Sequence, residues 1–300
     1  MRILITGASG QLGQALKRSA PENLAGEPLD WLALGRAELD LADADACRRI
    51  VFDLKPDWLI NTAAYTAVDK AEEERELAWS VNAEAPDAFA ETLVQTGGQM
   101  LQLSTDFVFN GRQGFPYMPE QTVNPLGVYG ASKAEGELAV LKHLGLERRA
   151  HVLRTSWVYG PVGNNFLITM LRLHRERRQI RVVADQLGCP TSSTTLASAC
   201  WRLLDRVGVQ SGGIPPVLHW SDAGAASWYD FAVAIGEVSK SLGLVDCPAE
   251  VIPIRTVDYP TKACRPHYSL LECSTTREAL DLSAVHWRKS LKLVLEELRN

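Results

Sequence analysis

Tyr129 and Lys133, in the segment Tyr129-Gly130-Ala131-Ser132-Lys133, carry a phenol and an ammonium group four residues apart. On a helix this spacing puts both side chains on one face, so that they can act on one ligand. A phenol matched to neutral pH needs its pKa lowered by about three units, or roughly 4 kcal/mol. A positive charge about 4 Å away supplies about that energy at an effective dielectric near 20. The spacing predicts a tyrosine acid tuned by Lys133; the alternative is a surface pair with no shared ligand.

A hydroxyl group is expected close to this pair. Thr105 comes directly after Leu103-Ser104, at the end of a predicted strand. Its hydroxyl can hydrogen-bond the same substrate oxygen as the phenol of Tyr129. Three groups that converge on one oxygen suit proton transfer to a carbonyl, so Tyr129, Lys133 and Thr105 are the candidate catalytic residues.

A glycine loop opens the chain. The first apolar run leads into Gly7-Ala8-Ser9-Gly10-Gln11-Leu12-Gly13, and a helical pattern follows at once. Gly7, Gly10 and Gly13 permit a tight turn and a close approach of backbone to a diphosphate, whose charge the free N–H groups of the helix start favour. Gln11 and Leu12 belong to the same predicted cofactor site. A glycine-rich turn without a ligand is the alternative, but its position after the first strand favours a dinucleotide.

Arg36 follows the second predicted strand, where a site selective for NAD carries Asp or Glu to bind the ribose hydroxyl. A guanidinium there matches a 2′-phosphate, so NADPH is the expected cofactor and NADH remains possible. A solvated surface arginine is the alternative. Asp40 and Leu41 are expected to face the adenine. Ala63, Ala64 and Tyr65, after the third strand, are expected to face the dinucleotide, because ligands bind at the carboxyl ends of strands in open α/β sheets.

Alternating strands and helices must position these residues. Short apolar runs separated by helix-length stretches predict a doubly wound parallel α/β sheet. The predicted strands are Arg2–Thr6, Trp31–Leu34, Trp58–Asn61, Met100–Ser104, His151–Thr155 and, in the second half, Ile180–Val183. The predicted helices are Leu12–Ser19, Ala42–Leu54, Ala85–Thr96 with Asn82 as its cap, Asn165–Arg178, Thr194–Val207, Trp228–Leu242 and Leu291–Leu298.

The alternation of predicted strands and helices becomes less regular after about residue 160, which predicts two domains. Residues 1–160 form the dinucleotide-binding domain, with part of 192–225 packing on it, and 161–300 form a smaller mixed α/β domain that binds the substrate. Turn-forming residues crowd Gly208–Pro216, the segment that we predict to be the most flexible.

Composition excludes several classes of protein. The 300 residues are 46% hydrophobic and 22% charged, which is typical of globular chains, and the formal net charge of -5 gives no attraction to nucleic acid or an anionic membrane. No apolar run approaches the roughly 18 residues of a membrane span, and the apolar start is too short for a signal peptide, so a cytoplasmic location is expected. The histidines are scattered and no metal site is predicted. Reduced thiols are expected at Cys47, Cys189, Cys200, Cys247, Cys264 and Cys273.

Together these features resemble the extended short-chain dehydrogenases/reductases, with their Rossmann fold, and within them the dTDP-4-dehydrorhamnose reductase family. The resemblance runs through nearly the whole chain. Besides the glycine loop and Tyr129, the segments that carry it are Asn61-Thr62-Ala63-Ala64-Tyr65-Thr66-Ala67-Val68-Asp69-Lys70-Ala71-Glu72, Ser104-Thr105-Asp106-Phe107-Val108-Phe109, Arg154-Thr155-Ser156-Trp157-Val158-Tyr159, Asn164-Asn165-Phe166, Asp185-Gln186-Leu187-Gly188-Cys189-Pro190-Thr191 and Arg265-Pro266.

The resemblance implies reduction of the 4-keto group of dTDP-4-dehydro-β-L-rhamnose by NAD(P)H, with Tyr129 as the proton donor. It implies that the cofactor touches ten residues: Gly10, Gln11, Leu12, Asp40, Leu41, Ala63, Ala64, Tyr65, Tyr129 and Lys133. Thr105 and Asp106 would contact the sugar, and Trp157 would lie against the sugar or its nucleotide unless it is a core aromatic. Arg265 would reach the diphosphate unless it caps a loop.

Two departures refine this expectation. Related dehydratases follow Thr-Asp with a Glu, whereas Phe107 stands here, so dehydration is disfavoured. Relatives that bridge two subunits through magnesium use glutamates where this chain has Ala15 and Thr194. We therefore expect a monomer or a homodimer without a metal bridge. Action on another nucleotide sugar, as a reductase or an epimerase, and a regulatory subunit that binds the dinucleotide without turnover remain the alternatives.

Overall fold

The computed structural model describes residues 1–209 and 213–299, and its strands include all those that the sequence predicts. The strands are β1 (Arg2–Thr6), β2 (Asn23–Leu24), β3 (Glu27–Pro28), β4 (Asp30–Leu34), β5 (Trp58–Asn61), β6 (Gln99–Thr105), β7 (Ala150–Thr155), β8 (Val158–Tyr159), β9 (Gln179–Val183), β10 (Leu187–Gly188), β11 (Thr191–Ser192), β12 (Val217–Trp220), β13 (Ala226–Ser227) and β14 (Glu250–Ile254).

Helices fill the predicted positions between the strands. They are α1 (Gln11–Arg18), α2 (Ala44–Leu54), α3 (Val68–Ala71), α4 (Arg75–Trp79), α5 (Ala85–Thr96), α6 (Val128–Leu144), α7 (Phe166–Glu176), α8 (Ser193–Val209), α9 (Trp228–Ser241), α10 (Ser274–Leu280) and α11 (Trp287–Arg299). Short 3-10 turns occur at Asp106–Val108 and Thr256–Asp258. Of the helices described, none is long and apolar enough to cross a membrane.

Six parallel strands form the central sheet, in the order β12-β7-β6-β5-β1-β4. Side chains alternate between its two faces. Ile3 and Ile5 of β1 pack in one hydrophobic core with α1 and α8, whereas Leu4 packs in another with α2, α5 and α6. The residues of β5 alternate in the same way. The predicted doubly wound sheet is therefore confirmed.

The predicted helix cap at Asn82 is wrong. The π-helical segment Ser80–Glu84 joins α4 to α5, so the helix begins at Arg75 and Asn82 lies inside it. Asn82 is buried, and its side chain bonds the backbone of Tyr65 in both directions. Its amide also donates to the Ser132 hydroxyl of α6, at 3.1 Å. Such π-bulges are common near functional sites, and this one places a polar group between two elements.

A third hydrophobic core lies in the later part of the chain. Helices α7, α9 and α11 supply most of it, around the buried rings of Tyr159, Phe231 and Trp287. The parallel pair β9 and β14 covers this layer. By contrast, β12 joins the central sheet beside β7, and α8 packs on α1. Of the segment Gly208–Pro216, residues 210–212 lie outside the described residues, so the predicted flexibility stays a prediction.

Candidate active site

The carboxyl ends of β1, β4, β5, β6 and β7 open into one cleft of about 550 Å³. Strands β4 and β5 lie on opposite sides of β1, so the direction of winding changes there. Ligands of open α/β sheets bind at such a switch point. Every residue predicted to bind the cofactor lines this cleft except Gly13.

The glycine loop forms one end of the cleft. Gly7 has a φ of +73°, and a Cβ there would lie 2.7 Å from the Thr62 hydroxyl, so only glycine fits without strain. The Gly10 N–H donates to the Gly7 carbonyl oxygen at 2.9 Å, and Gly10 precedes α1 with no side chain to occupy the first N–H groups of that helix. Gly13 lies beneath the loop, where a Cβ would overlap the Gly7 carbonyl. This end can accept an anion against backbone.

Two charged side chains stand at the rim beside the loop. The Arg36 guanidinium is 77% exposed, and its Nε lies 4.0 Å from an Asp40 carboxylate oxygen. Leu41 follows and is buried. Arg36 can leave this long ion pair and turn toward a ligand, because an ion pair between exposed side chains contributes little to stability.

Polar contacts fix the segment after β5. The Tyr65 hydroxyl donates to Glu74 at 2.6 Å, and this bond raises the pKa of Tyr65 to about 12. Ala63 and Ala64 line the cleft between Tyr65 and the strand. The small side chains leave room for a planar ligand at the middle of the cleft.

The predicted pair Tyr129 and Lys133 lies at the other end, on α6. The Lys133 ammonium donates to the Leu103 carbonyl oxygen at 2.7 Å, and its side chain is buried. Burial lowers the pKa of Lys133 to about 8, and the negative charge of Glu137 acts in the opposite direction. Lys133 is therefore largely charged at neutral pH.

The expected lowering of the Tyr129 pKa is not found. Burial raises the pKa of Tyr129 to about 12, which hydrogen bonding with Thr105 partly offsets and the charge of Asp106 reinforces. Loss of solvent outweighs the other influences, and the Lys133 ammonium is bound to Leu103 instead. The phenol therefore keeps its proton at neutral pH.

Thr105 and Asp106 lie beside the phenol, outside the lining of the cleft. The Thr105 hydroxyl donates to Asp106 Oδ1 at 3.0 Å and accepts from the Phe107 N–H at 3.2 Å. Burial raises the pKa of the Asp106 carboxyl to about 6. The Phe107 ring packs edge-on against that of Tyr129, with ring centroids 5.6 Å apart, so the side chain that follows Asp106 beside the phenol is apolar.

The structure places Trp157 in an aromatic stack, also outside the cleft lining. The centroid of its ring lies 3.5 Å from that of Trp228, with the two ring planes at 7° to each other. A Cβ on Gly188 would lie 2.5 Å from the Trp157 ring. Trp157 has a φ of +46°, a strained value for a bulky residue. Strain of this kind is concentrated at functional sites.

Arg265 is held by an acid on another element. Its guanidinium donates to both carboxylate oxygens of Asp69, at 2.7 and 3.1 Å, and to the Ala263 carbonyl oxygen. Asp69 belongs to α3, so this pair ties residues 263–265 to the dinucleotide-binding half. The predicted contact of Arg265 with a diphosphate stays a prediction.

Sequence analysis missed several polar groups of the cleft. Ser104 Oγ and Thr155 Oγ1 are buried without a partner within the described residues, and both side chains line the cleft. Asn165 donates to the Gln11 side chain at 2.9 Å, linking the loop to the start of α7. The position of Ser104 and Thr155 at strand ends was the available signal.

All six cysteines are free thiols. Cys47, Cys189, Cys200 and Cys273 are buried, and burial raises their pKa values, which keeps them protonated. Within residues 1–209 and 213–299, no three side chains of metal-binding types come together as a site.

A doubly wound parallel sheet with a glycine loop after β1 and a Tyr-x-x-x-Lys helix beside the cleft defines the class of extended short-chain dehydrogenases/reductases. The model of the family described as the RmlD substrate binding domain matches residues 1–300. A dTDP-4-dehydrorhamnose reductase from Aggregatibacter actinomycetemcomitans is 39% identical over 291 residues, which cover 97% of each chain. The chain therefore belongs to the dTDP-4-dehydrorhamnose reductase family.

Solved structures agree with this assignment. A dTDP-4-dehydrorhamnose reductase from Clostridium acetobutylicum is 34% identical, with a TM-score of 0.89 and full coverage of both chains. The enzyme from Bacillus anthracis, solved in complex with NADP, is 33% identical, with a TM-score of 0.87 and 99% coverage of both chains. The fold is thus shared along the whole length of these relatives.

Proposed function

We propose that this protein reduces the 4-keto group of dTDP-4-dehydro-β-L-rhamnose to dTDP-β-L-rhamnose with NADPH. Family membership and the NADP complex of the Bacillus anthracis relative support the substrate and the cofactor. The observation that carries the proposal is the cleft itself, which joins the glycine loop to Tyr129 and Lys133. A dinucleotide can therefore reach from the phosphate end to the proton donor.

The residues of the cleft fit a dinucleotide. The cradle at Gly7 and Gly10 takes the diphosphate, Arg36 takes the 2′-phosphate, and the unpartnered hydroxyls of Ser104 and Thr155 can bond polar groups deeper in the cleft. When bound, the nicotinamide supplies the hydride for the ketone carbon. Gln11, Leu12, Gly13, Asp40, Leu41, Ala63, Ala64 and Tyr65 complete the proposed cofactor site.

Tyr129 is the proposed general acid. With a pKa near 12, its phenol carries the proton that the growing alkoxide needs, and it gives that proton to the substrate oxygen. The Thr105 hydroxyl, once it turns its proton away from Asp106, donates a hydrogen bond to the same oxygen. The Lys133 ammonium, charged at neutral pH, offsets the negative charge left on the phenolate and holds the cofactor ribose.

The sugar nucleotide would bind between the two halves of the chain. Asp106 accepts hydrogen bonds from the sugar, and Trp157 packs against the sugar or its base. Arg265 meets the diphosphate once it releases Asp69. The domain around α7, α9 and α11 is then the substrate domain, as the predicted division at residue 160 implies. The cytoplasmic location and the monomer or homodimer without a metal bridge stay predictions.

A cofactor absorbance assay tests this function. The purified protein should consume NADPH when dTDP-4-dehydro-β-L-rhamnose is present and should not when it is omitted. NADPH binding without consumption would favour the regulatory alternative. Consumption only with a different ketosugar nucleotide would keep the chemistry and replace the substrate. Phe107 beside the phenol argues against dehydration, because an acid is needed there to expel water.

A further inference from the structure

The helix that carries Tyr129 begins without a cap from its own sequence. Its N-cap residue is Gly127, which has no side chain to accept from the first N–H groups of α6. Such groups need acceptors when they are not exposed to water. Since Tyr129 is the second residue of α6, whatever binds this helix start also sets where the phenol points.

Glu72 supplies the missing acceptor from another part of the chain. Its Oε1 accepts from the Val128 N–H at 2.8 Å, across 56 residues of sequence. The negative charge also lies at the positive end of the helix dipole, which stabilises the contact. A Cβ on Gly127 would lie 2.5 Å from the same Oε1, so the carboxylate sits tightly against the helix start.

Neighbouring contacts fix the position of Glu72. It follows α3, whose Ala71 is fully buried and packs in one small cluster with Ala78 and Val128. The Tyr129 ring packs against the same cluster. Asp69, one turn earlier on α3, is bound to Arg265. The carboxylate of Glu72 is therefore presented by a segment that is itself held in place.

We propose that Glu72 is a positioning residue, whose carboxylate caps α6 and thereby fixes the Tyr129 hydroxyl at the reacting oxygen. This inference rests on the proposed reduction, in which Tyr129 is the acid. A displacement of about 1 Å at a reacting group can cost roughly 100-fold in rate. Loss of the cap therefore acts on turnover, whereas the glycine loop and Arg36, on other elements, continue to hold the cofactor.

The first test compares two substitutions of Glu72. Glu72→Ala removes the acceptor and should lower kcat roughly 10- to 100-fold, with the Kd for NADPH changed by no more than about threefold. Glu72→Gln keeps an amide oxygen at the same place and should stay within about threefold of wild type. The matched control is Glu73→Ala, an exposed neighbour that pairs with Lys262 and should leave kcat unchanged.

Gly127→Ala tests the same contact from the other side. The backbone of Gly127, with φ −148° and ψ 178°, is open to alanine, so the conflict is with the Glu72 carboxylate, which must swing away. We expect Gly127→Ala alone to lower kcat as Glu72→Ala does. In the Glu72→Ala background it should add little, because the carboxylate is gone.

Hydrogen exchange provides a readout that needs no turnover. Amides 128–133 should exchange about fivefold faster in Glu72→Ala than in the Glu73→Ala control, the usual effect of a lost cap. Three results would each overturn the proposal. They are unchanged exchange of these amides in Glu72→Ala, an equal loss of kcat in Glu72→Gln and Glu72→Ala, and additive losses of kcat when Glu72→Ala and Gly127→Ala are combined. A wild-type protein that does not reduce the ketosugar would refute the proposed function alone, since exchange still reports the cap.

Discussion

At one end of the cleft the walls are backbone, and at the other they are buried side chains that titrate. Around Gly7 and Gly10 the site depends on missing side chains, and the charge at its rim, Arg36, is in solvent. Around Tyr129, Lys133 and Asp106, burial shifts each pKa away from its usual value. Added atoms should therefore disrupt the first end, and altered protonation should disrupt the second.

Tyr129→Phe should have the largest effect at the buried end. The variant keeps the ring that packs against Phe107 but removes the proton, so kcat should fall roughly 10²- to 10⁴-fold. The Kd for NADPH should change little, because the cofactor is held mainly at the other end. Steady-state kinetics and a fluorescence titration measure the two quantities. Tyr229→Phe, on α9, is the control, and full activity in Tyr129→Phe would remove this residue from the proposed role.

Asp106→Asn tests burial at the same end through stability. The native pKa of Asp106, about 6, lies above the usual 3.8, so between these values the folded protein holds a proton that the unfolded chain has released. The stability this carboxyl contributes is complete below about pH 3.8 and is lost as the pH rises through 6. Asparagine has no such proton. Relative to wild type, the free energy of unfolding of the variant should rise by about 2 kcal/mol between pH 4 and pH 7.

Urea unfolding of both proteins at the two pH values measures this difference, and comparing the two pH values cancels any constant effect of the amide. Asp53→Asn, at an exposed carboxylate of α2, is the matched control. Parallel stability curves for wild type and Asp106→Asn would contradict the prediction. The variant should also bind the sugar less well, a trade of activity for stability that is common at active sites.

Gly13→Ala tests the backbone end by adding one methyl group. The new Cβ would overlap the Gly7 carbonyl oxygen and lie 2.8 Å from its carbon, and backbone atoms cannot swing away as a side chain can. We expect a loss of about 1 to 3 kcal/mol in the free energy of unfolding, with weaker NADPH binding. Gly114→Ala is the control, because its Cβ meets open space. Equal losses in both variants would contradict a special role for the loop.

The sequence predicted the sheet well because its signal is local. Five strands of the central sheet were found to within one residue at each end, since short apolar runs between helical stretches mark them directly. The sixth, β12, was missed: it has four residues, and one of them is His219. The His219 ring bonds Arg154, which pairs in the interior with Glu137. Arg154 lies 65 residues from His219 and 17 residues from Glu137, so these contacts leave no pattern in the local sequence.

The site shows the same limit. All but one of the residues predicted for the cofactor site line the cleft, because strand ends meet at one edge of a parallel sheet. More than half of the residues that line the cleft were not predicted, and cofactor binding by those that were stays a prediction. The direction of the Tyr129 pKa was predicted incorrectly, since spacing gives the neighbour of a group but not its burial. Asn82 and Glu72 were missed as contacts of α6 for a similar reason. Each reaches α6 from about 50 residues away in sequence, through a side chain whose direction only the packed structure determines.

Arg36→Asp should have the smallest effect and addresses the exposed rim. A guanidinium that binds the 2′-phosphate favours NADPH, whereas a carboxylate there binds the ribose hydroxyl of NADH and repels the phosphate. Because Arg36 is 77% exposed, water screens the contact, and we expect the ratio of kcat/KM for NADPH to that for NADH to fall only about tenfold. Arg49→Asp, at another exposed arginine, is the control. A ratio unchanged by Arg36→Asp would mean that this side chain points to solvent and that the rim does not select the cofactor.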